Sequence, residues 1–288
     1  MKLITWNVAG RVKKLPRQIE YLATLQPDII TLQEVTKTTA PLFKDLLPSL
    51  GLKHIVCSLD FVIDSSYLKG PRRYGLIIAA KWDLSNPEIG GELITWPERF
   101  LSVTVETPHL PIKIHTTHIP PGSSNGWIKI EMLEGIFQTL VAENYPYRIL
   151  SGDFNMPQEE LPTGEVITWA YKKNSKGEYI PGRRNERWDE GERNIIIGLK
   201  EHDLEDVYRK LYGYSKEGFS WLLKMKEKTW KRRFDHVFAS NDLHPVHAEY
   251  LHEARIEKAS DHAILEVMFD IKEHTNKREE VKHENFRL

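Results

Sequence analysis

The chain has 288 residues and a mass of 33.6 kDa, with 40% hydrophobic residues, 28% charged residues and a mean hydropathy of -0.46. That balance fits a soluble globular protein with a sizeable core, and it excludes collagenous, low-complexity and membrane-spanning classes. Forty basic residues against 41 acidic ones leave a net charge of -1, so any attraction for polyanions must come from local clusters.

One cysteine, Cys57, rules out an intramolecular disulfide and a cysteine-only metal cage. The first residues, Met1 to Asn7, enter a strand-like pattern at once, without the cleavage region of a signal peptide. A cytoplasmic location without a membrane anchor is the expectation, and no protein partner is signalled.

In chain order, strand-like runs are expected at Lys2–Val8, Asp28–Gln33, Tyr74–Ala80, Phe100–Glu106, Ile112–His118, Tyr147–Ser151, Phe234–Ala239 and Ile264–Asp270. A helix between the first two places Leu15, Ile19 and Leu22 on one face, with Pro16 near its start. A second, from about Trp127 to Asn144, buries Ile130, Leu133, Ile136, Phe137 and Leu140. A third spans Asp203–Tyr212. Residues Lys172–Arg193 read as a long polar loop or insertion. Strands follow one another directly through Tyr74–His118, whereas helices separate others, which suggests mixed sheets covered by helices. No repeat and no long linker divides the chain. One domain over 1–271 with a charged tail at 272–288, helical or disordered, is expected.

Alternation decides which side chains share a sheet face. On that rule His118 shares the face of Ile112 and Ile114, Glu34 that of Ile30 and Leu32, Asn7 that of Leu3 and Thr5, and Asp153 that of Ile149. Polar groups at the ends of inward faces are costly to bury unless a metal, a ligand or each other satisfies them. Singly, each has an ordinary structural reading. Asp235 would pair with nearby arginines, Asp261-His262 after Ser260 would form a turn or cap, and Gly152-Asp153 would be a turn. Together they point to chemistry. The phrase Ser151-Gly152-Asp153-Phe154-Asn155 leaves a strand with an acid that activates water or a metal and an amide that donates to phosphate oxygen.

The ordered set Thr5-Trp6-Asn7, Leu32-Gln33-Glu34, Thr117-His118, Gly152-Asp153-Phe154-Asn155, Arg233-Phe234-Asp235-His236 and Ser260-Asp261-His262 resembles the endonuclease/exonuclease/phosphatase superfamily. This superfamily includes pancreatic-type deoxyribonuclease and exonuclease III-type AP endonucleases. The resemblance implies a four-layer α/β/β/α sandwich with two mixed β-sheets and an active cleft at one edge. It implies a metal-dependent phosphodiesterase with Mg²⁺ or Mn²⁺ held by Asn7, Glu34 and Asp261, oxygen ligands that suit a hard cation. By the same resemblance Asp153 orients or deprotonates water, Asn155 steadies phosphoryl oxygens, and Asp235 orients His262. His118 then contacts the same phosphate. The division of labour between the two histidines stays open. Exonuclease III-type AP endonucleases carry tyrosine where His118 stands, and an acid where Ala9 stands. The aromatic wall before their Arg-x-Asp motif is replaced here by Arg232, with Trp230 displaced by two positions.

Two basic stretches bear on the substrate. One holds Lys172, Lys173, Lys176, Arg183, Arg184, Arg187 and Arg193 with Trp188; the other runs from Lys224 to Arg233, flanked by Trp221 and containing Trp230. Cations for phosphate and aromatics for stacking suit nucleic acid, DNA favoured over RNA. Trp221, Trp230, Arg232 and Arg233 are the expected substrate contacts. The leading expectation is a DNA nuclease, with repair as its setting. The alternatives are a phosphatase or phosphodiesterase acting on a phosphoinositide, phospholipid head group or small phosphoester, and a catalytically silent binding module.

Overall fold

A computed structural model describes residues 1–271. The charged tail expected at 272–288 lies outside the described residues. Two six-stranded sheets dominate. The first runs, in spatial order, Pro245–Leu251, Ile264–Phe269, Lys2–Asn7, Ile29–Thr36, Tyr74–Ala80 and His54–Cys57. The second runs Glu205–Asp206, Asp235–Ala239, Arg148–Asp153, Pro111–His118, Phe100–Glu106 and Leu84–Ile89.

Both sheets are mixed in the same way. Lys2–Asn7 pairs in parallel with Ile29–Thr36, and Pro111–His118 in parallel with Arg148–Asp153, while their outer neighbours run antiparallel. Parallel strands end on the same edge. The parallel pair at the centre of each sheet therefore delivers chain ends to one rim, where Asn7, Glu34, His118 and Asp153 stand.

Alternation divides each strand between two cores. Leu3, Ile29, Ile78, Val103, Ile114, Ile149, Val237 and Leu265 pack between the sheets. Ile4, Trp6, Ile30, Leu32 and Ile77 face outward against the helices Leu15–Leu25 and Thr39–Leu46. Phe100, Leu150 and Phe238 face outward against Ile128–Ala142 and Glu186–Ile196. Each core holds enough aliphatic and aromatic area that a single buried Leu or Ile cut to Ala costs about 2–5 kcal/mol. The result is the four-layer α/β/β/α sandwich.

Toward the active rim the intersheet layer turns polar. Thr31 Oγ1 lies 2.9 Å from Ser151 Oγ, and Gln33 Nε2 donates to Thr5 Oγ1 at 3.0 Å and to Thr116 Oγ1 at 3.1 Å. The Thr31–Ser151 and Gln33–Thr116 bonds cross from one sheet to the other and fix the relative height of the strand ends.

Several segments differ from the sequence expectation. Residues 172–193 are no loop: Tyr171–Lys173 pairs with Tyr179–Pro181 across a turn at Asn174–Gly177, and a helix spans Glu186–Ile196. That helix is amphipathic, with Trp188, Glu192, Ile195 and Ile196 buried. The helix expected from Asp203 begins at Val207, because Glu205–Asp206 joins the sheet edge and the Asp206 carboxylate caps the helix at the Arg209 N–H. The short strands His54–Cys57, Leu84–Ile89 and Pro245–Leu251 carry too weak an alternation to stand out in the sequence.

Candidate active site

Gly152 is where the site begins. It sits opposite Thr117 in the parallel ladder at φ +141°, and a Cβ there would lie 2.0 Å from the Thr117 carbonyl oxygen. Only glycine lets the two central strands approach so closely before Asp153.

Asp153 follows, buried, with its carboxylate at the rim. Its Oδ2 accepts from Asn7 Nδ2 at 2.8 Å and its Oδ1 from the Asn155 backbone N–H at 2.9 Å. His118 Nε2 and His262 Nε2 stand 3.7 and 3.8 Å from Oδ2. Burial pushes the Asp153 carboxyl upward, His262 opposes that shift, and Asp235 adds to it. Asn155 takes φ +51°, which turns its side chain back so that Nδ2 donates to the Ile119 carbonyl at 2.9 Å.

Glu34 arrives differently from its expectation. Simple alternation would put it on the helix-facing side with Ile30 and Leu32. The pairing with Tyr74–Ala80 slips between Leu32 and Val35, and Glu34 takes φ +58°. This bulge sends Glu34 to the rim while Val35 resumes the outward face. Glu34 Oε1 then accepts from Asn7 Nδ2 at 3.1 Å and lies 3.6 Å from His118 Nε2. Strained conformations at Ala9, Glu34 and Asn155 all fall at this rim.

His262 Nδ1 lies 2.7 Å from Asp235 Oδ2, and both groups are buried. Burial alone would lower the imidazole pKa, but the Asp235 and Asp153 carboxylates outweigh it and raise the value. The other Asp235 oxygen, Oδ1, is buried without a hydrogen-bond partner among the described residues. Two serines hold this pair. Ser260 Oγ donates to the Asn7 carbonyl at 2.6 Å and accepts from His262 N at 3.1 Å, while Ser220 Oγ accepts from the N–H groups of Phe234 and Asp235. Ser260 stands in the Ser260-Asp261-His262 motif, but the positioning role of both serines needs the three-dimensional contacts.

Glu34, His118 and Asp153 bring ligand atoms within 4.8 Å of one another, as do Asp153, Asp235 and His262. Among the described residues, Asn7 Nδ2 and His118 Nε2 lie against both rim carboxylates, Glu34 and Asp153, and Asn155 and His262 against Asp153. Such a pair of oxygen donors fits a hard divalent cation, while Asn7 turns its amide nitrogen to both carboxylates and its Oδ1 accepts from the Ala9 N–H at 2.9 Å. Asp261 is not gathered into it: half-exposed, it pairs with Arg11 at 3.2 Å.

A cavity of about 370 Å³ opens over this rim, lined by Asp153, Asn155 and His262 on its floor and by Trp169, Trp221 and Phe234 on its walls. Trp221 stacks on Phe234 at 5.5 Å between centroids, and Arg184 and Lys129 supply its cations. The Lys129 ammonium is committed to Glu192 at 2.6 Å and to the Asn155 carbonyl at 3.0 Å. Arg184 donates to the Trp169 carbonyl and lies 3.8 Å over the Trp188 ring.

The remaining expected substrate contacts separate. Trp230 and Arg232 line a neighbouring cavity of about 640 Å³ with Lys173, Lys216 and Lys228, and the Arg232 guanidinium reaches Trp169 at 5.8 Å. They sit on a hairpin of Trp221–Met225 and Lys228–Arg232. Arg233 lines the same cavity. It is buried and bridges Glu160 at 2.6 Å and Asp206 at 2.7 Å, so its charge is spent inside the protein. Trp188 is likewise buried, not a stacking platform, and Arg187 and Arg193 pair with Glu134 and Asp189.

A family model, the Endonuclease/Exonuclease/phosphatase family, matches residues 4–262. The chain belongs to that family. Endonuclease/exonuclease/phosphatase members are divalent-metal-dependent hydrolases of phosphoesters. Solved structures with the same fold include an AP endonuclease from Archaeoglobus fulgidus, at TM-score 0.69 and 21% identity over 94% of this chain and 99% of that one. A 3'-5' exonuclease from Neisseria meningitidis aligns at TM-score 0.68 and 20% identity, over 94% and 100%. A 3' phosphatase from Neisseria, bound to a product DNA hairpin, aligns at 0.67 and 20%, over 94% and 99%. At these identities the likeness establishes the fold. A search of curated protein sequences returns no match. No helix among the described residues is long and apolar enough to cross a membrane.

Proposed function

We propose that this family member is a Mg²⁺- or Mn²⁺-dependent nuclease acting on DNA, with RNA as the alternative polymer and DNA repair as its setting. The observation that carries this reading is the buried Asp153 carboxylate, flanked by the Asn7 and Asn155 amides and by two imidazoles, at the floor of a tryptophan-walled cavity.

Glu34 is the proposed metal ligand, with Asn7 Oδ1 able to join once it releases the Ala9 N–H and Asp261 once it releases Arg11. A bound divalent cation would supply charge neutralisation at the phosphate and the leaving oxygen. Asp153 takes the proton of the attacking water, an assignment its raised pKa favours. Asn155 Nδ2 donates to a phosphoryl oxygen. His262, kept cationic by Asp235, faces the developing negative charge.

The polymer preference rests on the second cavity. Lys216, Lys228 and Arg232 line it beside Trp230, and the Arg232 guanidinium lies 5.8 Å from Trp169, a wall of the catalytic cavity. Backbone phosphates and a stacked base suit that surface. The fold neighbours described as an AP endonuclease, an exonuclease and a DNA-bound 3' phosphatase agree with a DNA substrate.

A panel of abasic, nicked, single-stranded and duplex DNA, single-stranded RNA and a soluble phosphomonoester, each with Mg²⁺ or with EDTA, tests the reading. Mg²⁺-dependent DNA cleavage is expected. Robust turnover of the small phosphoester with intact DNA would replace it with the small-substrate reading, and no turnover of any substrate would favour a silent binding module.

A further inference from the structure

The two histidines at the rim are held by opposite kinds of partner. His262 Nδ1 faces a carboxylate, an acceptor, whereas His118 Nδ1 faces the Nη1 of Arg99. A guanidinium has donors only. The His118 Nδ1 lone pair must therefore accept, and a ring with one proton carries it on Nε2.

We propose that Arg99 is a positioning residue that fixes the tautomer of His118, so that its Nε2–H is presented to a phosphoryl oxygen. The Nε2 atom points at the rim, 3.6 Å from Glu34 Oε1 and 3.7 Å from Asp153 Oδ2. The other ring facing His118 is Tyr74, with centroids 5.9 Å apart. His118 also lines a third cavity of about 300 Å³, with Arg73, Tyr74 and Asn125, on the opposite flank of Glu34 from the tryptophan walls.

Arg99 is built for this task and for little else. It is buried, and among the described residues its polar side-chain partners are His118 and the Pro71 carbonyl, with no partner for its Nε. The adjacent Glu98 makes no hydrogen bond to it, because both Glu98 oxygens accept from Arg72 at 2.8 and 2.7 Å, so Glu34 and Glu98 act on the guanidinium only through space. Tyr74 and Trp96 flank the guanidinium at 5.3 and 5.8 Å, and Thr117 Oγ1 grips the Arg99 carbonyl at 2.9 Å. A buried cation with no carboxylate in hydrogen-bond contact is costly, which a purely packing role does not explain.

The role of the Nε2–H rests on the phosphoester reading; the tautomer does not. Long-range ¹H–¹⁵N spectra of histidine-labelled full chain in EDTA decide it, with His118→Gln assigning the signal. The expected result is an Nε2–H ring in the wild type and a population of the Nδ1–H form in Arg99→Met. In activity, Arg99→Met lowers kcat roughly tenfold to a hundredfold with KM little changed, and guanidinium ion restores part of the rate of Arg99→Ala. An Nδ1–H ring in the wild type, or an unchanged tautomer in Arg99→Met, overturns the proposal. If Arg99→Met does not fold, the wild-type spectrum decides alone. A wild type with the expected tautomer but no hydrolytic activity would sink the phosphoester reading and leave the Arg99–His118 assignment standing.

Discussion

The Asn7 amide nitrogen lies 2.8 Å from Asp153 Oδ2, and this single contact joins the ends of the central strands of opposite sheets. The same amide also reaches Glu34 at 3.1 Å, so one side chain spaces two carboxylates that would otherwise repel. Asn7→Ala should leave both without that donor. A loss of about 1–3 kcal/mol in urea unfolding is expected, together with a fall in kcat of roughly a hundredfold. Unchanged kcat would remove Asn7 from the site.

Asp235 should matter chiefly through His262. Asp235→Asn removes the charge that raises the imidazole pKa, so that value should fall in an NMR titration. A drop in kcat of roughly 10²–10⁴ should accompany it, the usual worth of a positioned acid or base. An unmoved His262 titration would show that burial and Asp153 set its charge without Asp235.

Gly152→Ala tests backbone geometry with no change in chemistry. The added methyl would strike the Thr117 carbonyl at 2.0 Å and strain a φ of +141°. Destabilisation above about 3 kcal/mol is expected, read as a shift in the denaturation midpoint. A neutral substitution would mean that the strands can separate there at little cost.

Acid should weaken the fold through Glu160. Burial raises its pKa, but Arg233 and Arg209 outweigh that and bring it from 4.5 down to about 2. A lowered folded-state value means that the stabilisation is complete above the unfolded value near 4.5 and is lost as pH falls through about 2. Unfolding free energy should therefore decline across that window, and the decline should shrink in Glu160→Gln. Arg233→Ala should cost about 3–5 kcal/mol by stranding Glu160 and Asp206. A normal stability with a raised KM would instead return Arg233 to the substrate.

Much of the layering was legible because it depends on local alternation. Ile112-Lys113-Ile114 and Ile149-Leu150 sort correctly between the intersheet and outer cores. The ordered motifs likewise named residues that the fold collects at one rim. Glu34 shows where alternation fails: a one-residue slip in the ladder reverses a side chain, and only the pairing with Tyr74–Ala80 reveals it. Arg233 shows a different failure. A cation in a basic stretch looks available until Glu160 and Asp206 arrive from distant segments to bury it. Arg99 was invisible for the same reason, since its meaning lies in a neighbour 19 residues away. Residues 172–193 misled through composition, because the buried stripe around Trp188 and Glu192 is hidden among charges.

The central claim is that Asp153 and a divalent cation held at Glu34 together cleave a phosphoester. Single-turnover cleavage of a labelled DNA duplex, titrated with Mg²⁺ in the wild type, Glu34→Gln and Asp153→Asn, tests it most directly. The account predicts no cleavage in EDTA, a half-saturating Mg²⁺ concentration at least tenfold higher in Glu34→Gln, and a rate at least about a thousandfold lower in Asp153→Asn at saturating Mg²⁺. Cleavage that persists in EDTA, or an Asp153→Asn protein that folds and cuts at the wild-type rate, would contradict it.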